Sequence, residues 1–160
     1  MILGIVQARM NSTRFPGKVL KKINGKPLIE ILFHRLSRSE KIDKVILATS
    51  DSKENDRLAE TVTKLGFDVF RGSEDDVLDR YYQAAKVYKP QVVVRITGDC
   101  PIIDPEVVDK VIESYQKTNV IIPVTRNRLP IPMDLIRKCF HSLDWKLPIG
   151  TQKNLSIGNM

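Results

Sequence analysis

Cysteine and histidine are nearly absent from this chain, with two of each among 160 residues. Cys100 and Cys139 stand far apart and lack metal-ligand spacing, so no disulfide framework and no zinc site is implied, and both read as free thiols of a reducing cytoplasm. His34 falls in an apolar helical pattern and His141 in an irregular stretch, places where a single histidine is more often structural than catalytic. Aromatic residues make up only 6% of the chain. No zinc-finger, RNP or helix-turn-helix pattern occurs either, which argues against polymeric nucleic acid despite a pI near 9.5. No apolar run approaches the roughly 18 residues of a membrane span, and no signal-peptide arrangement follows Met1. A soluble, cytoplasmic protein is expected. Two phosphate-binding glycine loops are also missing, G-x-x-x-x-G-K-S/T and G-x-G-x-x-G. Phosphate binding here must rest on side chains more than on a glycine nest.

What is present suits one globular domain: 42% hydrophobic and 28% charged residues in a length that can bury a real core. The net charge of +7 is unevenly spread. Residues 1–50 hold 10 Lys/Arg against 3 Asp/Glu, residues 51–117 hold 10 against 14, and residues 118–160 hold 6 against 2. A basic first third beside an acidic middle suits a site where cations hold phosphates and carboxylates hold a divalent metal.

The richest segment is Ile5 to Leu20. An apolar strand over residues 1–6 runs into a loop carrying Arg9, Arg14 and Lys18, with Ser12, Thr13 and Gly17 between them. Arginine offers a planar fork to phosphate oxygens, lysine a mobile point charge, and glycine a close backbone approach. A solvated basic loop is the plain alternative, but open α/β sheets bind ligands just beyond the carboxyl ends of their strands, which is where this loop lies.

Downstream, Asn24-Gly25 signals a turn and Pro27 suits the first position of a helix. Leu28, Ile31, Leu32, Arg35 and Leu36 keep helical spacing to about Ser39. Residues 45–49 read as a buried strand, 53–65 as a helix stopped by Gly66, and 68–70 as a short strand. Residues 74–88 read as a helix with Val77, Leu78, Tyr81, Ala84, Ala85 and Tyr88 inward. QVVVRI, residues 91–96, is the most strand-like run and should be central. A helix over 105–115 follows an Asp104 cap. Alternating strands and helices with short connections predict a three-layer α/β fold with a mostly parallel sheet. From about Asn119 the pattern degrades. Residues 120–122 suggest a strand, Pro123, Pro130 and Pro132 punctuate the chain beyond it, and 146–160 read as an irregular tail. Residues 1–117 are expected to form a nucleotide-binding core, and 118–160 a divergent or incomplete carboxyl-terminal part of the same domain.

Asp99 directly follows the central strand, between Gly98 and the stiffening Pro101. A carboxylate there suits Mg²⁺, which takes one or two carboxylates together with phosphate oxygens and water; a turn cap is the plain alternative. Set against Arg9, Arg14 and Lys18, it makes the pair of functions that in-line nucleotidyl transfer needs, with no covalent nucleophile.

QARMNSTRFPGKVL, GKPLIE, ATSD at 48–51, FRGSEDDVLDRYYQAA at 70–85 and VVRITGDCPIIDP at 93–105 together resemble the cytidylyltransferases of the spore coat polysaccharide biosynthesis F type. These are related to the acylneuraminate and ketodeoxyoctonate cytidylyltransferases. The resemblance covers about residues 1–117. It implies a Rossmann-like nucleotide-diphospho-sugar transferase fold and Mg²⁺-dependent transfer of CMP from CTP to an acidic sugar, with pyrophosphate released, for surface polysaccharide assembly. It places Arg9, Arg14 and Lys18 on the CTP phosphates, Ala8 and Ser12 near the nucleotide, and Asp99 on metal, with Gly98 beside it. Thr49, Ser50 and Asp51 match the base side of the pocket, and Arg80 a segment lining the nucleotide. For Glu74, Asp75 and Asp76 a charged helix start is expected. After Lys117 the sequence departs from the family's YPDGLDVEVF segment, and only Asp134 can be placed, weakly, on a family acid and potential metal ligand. A catalytically impaired nucleotide-binding remnant therefore stays open, as does a glycosyltransferase, although Gly98-Asp99-Cys100-Pro101 is no Asp-x-Asp motif. Homodimer formation is a further expectation from the resemblance.

Overall fold

The computed structural model describes residues 1–12, 15–118 and 139–141. Thr13, Arg14 and Asp134, with the expected strand at 120–122 and the tail at 146–160, lie outside the described residues. The backbone runs β1 (Ile2–Gln7), one 3₁₀ turn (Lys18–Leu20), β2 (Lys22–Ile23), β3 (Lys26–Pro27), α1 (Leu28–Leu36) and β4 (Lys44–Ser50). A second 3₁₀ turn (Lys53–Asn55) then leads to α2 (Asp56–Lys64), β5 (Asp68–Gly72), α3 (Val77–Tyr88), β6 (Val92–Thr97), α4 (Pro105–Thr118) and β7 (Cys139–His141).

Five strands make one sheet in the order β5-β4-β1-β6-β7. The first four are parallel, and β7 adds an antiparallel edge, with Val92 opposite His141 and Val94 opposite Cys139. The first strand of the chain lies in the middle, pairing with β4 on one side and β6 on the other. The connections from β1 to β4 and β5 lead one way along the sheet and the connection to β6 leads back. Ligands of open α/β sheets bind at such a reversal point, beyond the carboxyl ends of the strands.

Strand alternation sends β1 side chains to two faces. Val6 joins α1, α2 and α4 in the larger core, which includes Ile29, Leu32, Phe33, Leu36, Leu58, Val62, Val108 and Ile112. Leu3 and Ile5 face α3 through Tyr81 and Ala84. The result is helix, sheet and helix in three layers, as the alternating pattern predicts.

Several details differ from the sequence reading. Pro27 stays extended at ψ 146° and pairs in β3, so α1 starts at Leu28. Its fully buried face is Ile29, Leu32, Phe33 and Leu36, while Leu28 and Ile31 are half-buried. Choosing Phe33 over Leu28 lets an aromatic ring meet Phe67 with centroids 4.7 Å apart. The helix expected from Glu74 begins only at Val77, because Asp76 caps it by accepting the Asp79 N–H. Leu78, expected inside, is 48% exposed, and the inward position goes to Arg80. The Asn24-Gly25 turn forms as read, with both residues at positive φ and β2 antiparallel to β3. Gly66 ends α2 at φ +86°. Among the described residues no helix is long and apolar enough to cross a membrane.

Candidate functional site

The carboxyl ends of β1 and β6 are drawn together at Gly98. Its N–H donates to the Gln7 carbonyl at 2.7 Å. A Cβ on Gly98 would stand 2.6 Å from the Ala8 Cβ and 3.0 Å from the Gln7 carbonyl oxygen, so only glycine fits this contact. Past this contact the two chains diverge and open a cleft of about 150 Å³, lined by Gln7, Ala8, Arg9, Lys18, Val19, Thr97, Gly98 and Asp99. That volume is small beside the several hundred Å³ usual for a whole organic ligand, and suits the phosphate portion of one.

Opposite charges meet in the cleft. Lys18 Nζ donates to Asp99 Oδ2 at 2.8 Å, although the two residues lie 81 apart in sequence. Lys18 is brought there by Gly17, which takes φ +67° and starts the 3₁₀ turn. Partial burial pushes the Asp99 carboxyl up, but the hydrogen bond and charge of Lys18 outweigh this, and its pKa falls below the ordinary carboxylate value. Asp99 is thus ionised and, at 46% side-chain exposure, accessible. Arg9 is 51% exposed at the rim, with its guanidinium 4.0 Å from Glu74. Ala8 is buried against Gly98, and the half-buried Ser12 donates its N–H to the Met10 carbonyl at 3.0 Å.

Five of the residues singled out from sequence, Ala8, Arg9, Lys18, Gly98 and Asp99, therefore line one cleft. The others described, apart from Ser12, form a second group at the ends of β4 and β5. Thr49, Ser50 and Arg80 are no more than 1% exposed. Ser50 donates its hydroxyl to Glu74. Asp51 is exposed, and its N–H donates to the Gly72 carbonyl at 3.0 Å. The Arg80 guanidinium donates to the Ser73 carbonyl, while Arg80 Nε and Thr49 Oγ1 are buried with no hydrogen-bond partner among the described residues. Burial lowers the Arg80 pKa, opposed mainly by the negative charge of Glu74. Glu74 thus leaves the helix-start role expected of it and serves as the joint between Ser50 and Arg9.

Four neighbours of the site escaped the sequence reading. Gln7 Oε1 accepts from the Tyr81 hydroxyl at 3.3 Å and from Arg95 at 3.2 Å, and Arg95 also stands over the Tyr81 ring. Burial pushes the Tyr81 phenol up to about 12, against the charge of Arg95, so it stays a neutral donor. Asn55 is wholly buried and bonds to Met10 and Ser50. The signal available was polar residues inside strand or helix patterns, as at Gln7 and Arg95. Asn55 was hidden in a run of turn-forming residues.

Among the described residues no group of three or more His, Cys, Asp or Glu could hold a metal alone. A single accessible carboxylate beside a phosphate-sized cleft nevertheless suits Mg²⁺, which completes its shell with phosphate oxygens and water.

Residues 3–132 match the profile of the family described as cytidylyltransferase. The chain is 46% identical over 118 residues to the spore coat polysaccharide biosynthesis protein SpsF of Bacillus subtilis, covering 71% of this chain and 49% of that protein. It is 36% identical over 113 residues to the 3-deoxy-manno-octulosonate cytidylyltransferase of Geobacter sulfurreducens, covering 69% and 44%. A solved cytidylyltransferase structure from Leptospira borgpetersenii superposes with a TM-score of 0.80 at 28% identity, over 92% of this chain and 65% of that one. The chain spans about half the length of the curated relatives it matches. The matched region contains both strand ends that build the cleft, the Rossmann-like fold is shared, and the chain belongs to the cytidylyltransferase family.

Proposed function

We propose that the cleft binds CTP and that this chain transfers CMP to an acidic sugar with release of pyrophosphate, for surface polysaccharide assembly. The single observation that carries the reading is the Lys18 ammonium facing the Asp99 carboxylate at 2.8 Å across the reversal point of the sheet. A cation for phosphate and a carboxylate for metal are the two functions that a nucleoside triphosphate with its divalent ion requires, and they meet where the fold binds ligands. The relative from Geobacter sulfurreducens, a 3-deoxy-manno-octulosonate cytidylyltransferase, supports the base and the acceptor class, and that from Bacillus subtilis the link to polysaccharide biosynthesis.

In this reading Lys18 leaves Asp99 for the triphosphate, and Arg9 and Arg14 join it on the phosphate oxygens. Gly98 keeps the floor of the cleft free of side chain, so the phosphates approach the backbone. The acceptor hydroxyl gives its proton to solvent as its oxygen bonds the α-phosphorus and the bond to the bridging oxygen of the β-phosphate breaks, and the cations absorb the charge that gathers on pyrophosphate. When bound through Asp99 and phosphate oxygens, Mg²⁺ supplies Lewis-acid charge neutralisation. Thr49, Ser50, Asp51 and Arg80 shape the base side from behind, with Asp134 a candidate second carboxylate.

The test is titration of CTP, GTP and UTP with and without Mg²⁺, coupled to a pyrophosphate assay over acidic sugars that include 3-deoxy-manno-octulosonate. CTP-selective binding with pyrophosphate release is the expected result. Binding without release would favour a nucleotide-binding remnant, a reading motivated by the family acids missing from the sequence after Lys117. Absence of nucleotide binding would end both.

A further inference from the structure

We infer that Asn55 is a positioning residue for nucleotide binding, holding Met10 and, through Met10, Gly17 and Lys18 in place. The inference rests on the nucleotide reading of the cleft. Asn55 stands directly before α2, where an asparagine ordinarily caps the helix by accepting an amide of the first turn. It makes no such bond. Its side chain, 0% exposed, turns the other way. Oδ1 accepts the Met10 N–H at 2.9 Å and Nδ2 donates to Ser50 Oγ at 2.7 Å. Both halves of the amide are thus committed to residues of the site, and the helix is left without a side-chain cap.

Met10 is the point to which Ser12 and Gly17 are both fastened. Its carbonyl accepts the N–H of Ser12 at 3.0 Å and that of Gly17 at 2.9 Å. Gly17 leads directly into Lys18, so the cation of the cleft takes its position from Met10. The other side of Asn55 reaches Arg9. Ser50 donates to Glu74, and Glu74 stands 4.0 Å from the Arg9 guanidinium. A run of contacts from Met10 through Asn55, Ser50 and Glu74 therefore reaches one cation by a solvent-open ion pair at Arg9 and the other through Gly17. Alanine at position 55 breaks this run and leaves the partly buried Met10 amide with no partner, while nothing that touches the ligand is removed.

Asn55→Ala and Ser50→Ala are titrated with CTP and with inorganic tripolyphosphate, which reads the loop without the base. Amide hydrogen exchange and thermal unfolding are followed on the same samples. Asn55→Ala is expected to weaken both ligands about tenfold, and to speed exchange at Met10 and Gly17 while Leu3 and Ile5 of β1 stay protected. Ser50→Ala keeps the bond to Met10 and should weaken both ligands by a smaller factor. A lowered melting temperature with ligand affinities equal to wild type would overturn the inference and leave Asn55 a residue of the fold alone. Should Asn55→Ala not fold, amide exchange of the wild type with and without tripolyphosphate decides: slower exchange at Met10 and Gly17 with the ligand supports the inference, and unchanged exchange at both overturns it. Wild-type protein that takes tripolyphosphate without preferring CTP defeats the CTP reading and leaves Asn55 testable on the phosphate probe. Wild-type protein that takes neither defeats both.

Discussion

Asp99→Asn should change nucleotide binding in opposite directions with and without Mg²⁺. Asp99 holds Lys18 at 2.8 Å, with the two side chains 46% and 27% exposed. A pair this open to solvent is worth about 0 to 1 kcal/mol. A triphosphate that recruits Lys18 must first break the pair, so the pair subtracts up to that amount from affinity. Asparagine removes both the competition for Lys18 and the repulsion between carboxylate and phosphate. Without metal, CTP should therefore bind the variant up to about fivefold more tightly. With Mg²⁺ the sign reverses, because the carboxylate assigned to the ion is gone. A charge-assisted contact of about 1.5 to 3 kcal/mol corresponds to a loss of about 10- to 150-fold. Lys18→Ala behaves differently: it forfeits the phosphate contact but also the pair, a net loss of about 0.5 to 3 kcal/mol under both conditions. Calorimetric titration of CTP into wild type and both variants, with Mg²⁺ and with chelator, measures all six values. Equal weakening of Asp99→Asn in both conditions would refute the reasoning, since the carboxylate would then be acting through the fold.

Gly98→Ala puts a methyl group 2.6 Å from the Ala8 Cβ, and forcing β1 and β6 apart should cost about 1 to 3 kcal/mol, lowering the melting temperature by roughly 2 to 10 °C; an unchanged transition would mean that the strand ends spread freely. Phe33→Ala empties the fully buried ring position against Phe67 and should lower unfolding free energy by about 3 to 5 kcal/mol in urea titration. Hydrogen bonds from Lys44 and Tyr88 lower the Asp68 pKa, with Lys44 2.6 Å from the carboxylate. Because the folded value is below the unfolded one, this contribution is full above about pH 4 and fades as pH falls through the folded value. Lys44→Met should flatten the acid limb of a urea-midpoint against pH curve, and an identical limb would show that the pair adds nothing.

The parallel sheet was legible in the sequence because its strands are apolar runs separated by amphipathic helices, and the cleft because Lys18 and Asp99 each follow a strand. What eluded the sequence was set by tertiary contact. Periodicity alone accommodates Leu28 or Phe33 on the inner face of α1, and the position of Phe67 decides between them. Arg80 in place of Leu78 breaks the apolar rule because the Ser73 carbonyl waits inside for a donor. Cys139–His141 carries almost no local signal, since a three-residue edge strand takes its register from β6. Asn55 has the composition of a helix cap, and only the inward turn of its side chain distinguishes it.

The central place of β1 also bears on the order in which the molecule can be built. Its partners on one side, Val92 to Thr97, emerge from synthesis some ninety residues after Ile2 to Gln7. Until they arrive, β1 has an unpaired apolar edge, and the loop after it has no opposite wall. Sheets paired at such long range close slowly, because the intervening chain must be ordered before the pairing is rewarded. The cleft, lined from both β1 and β6, therefore cannot form until these two distant segments have paired.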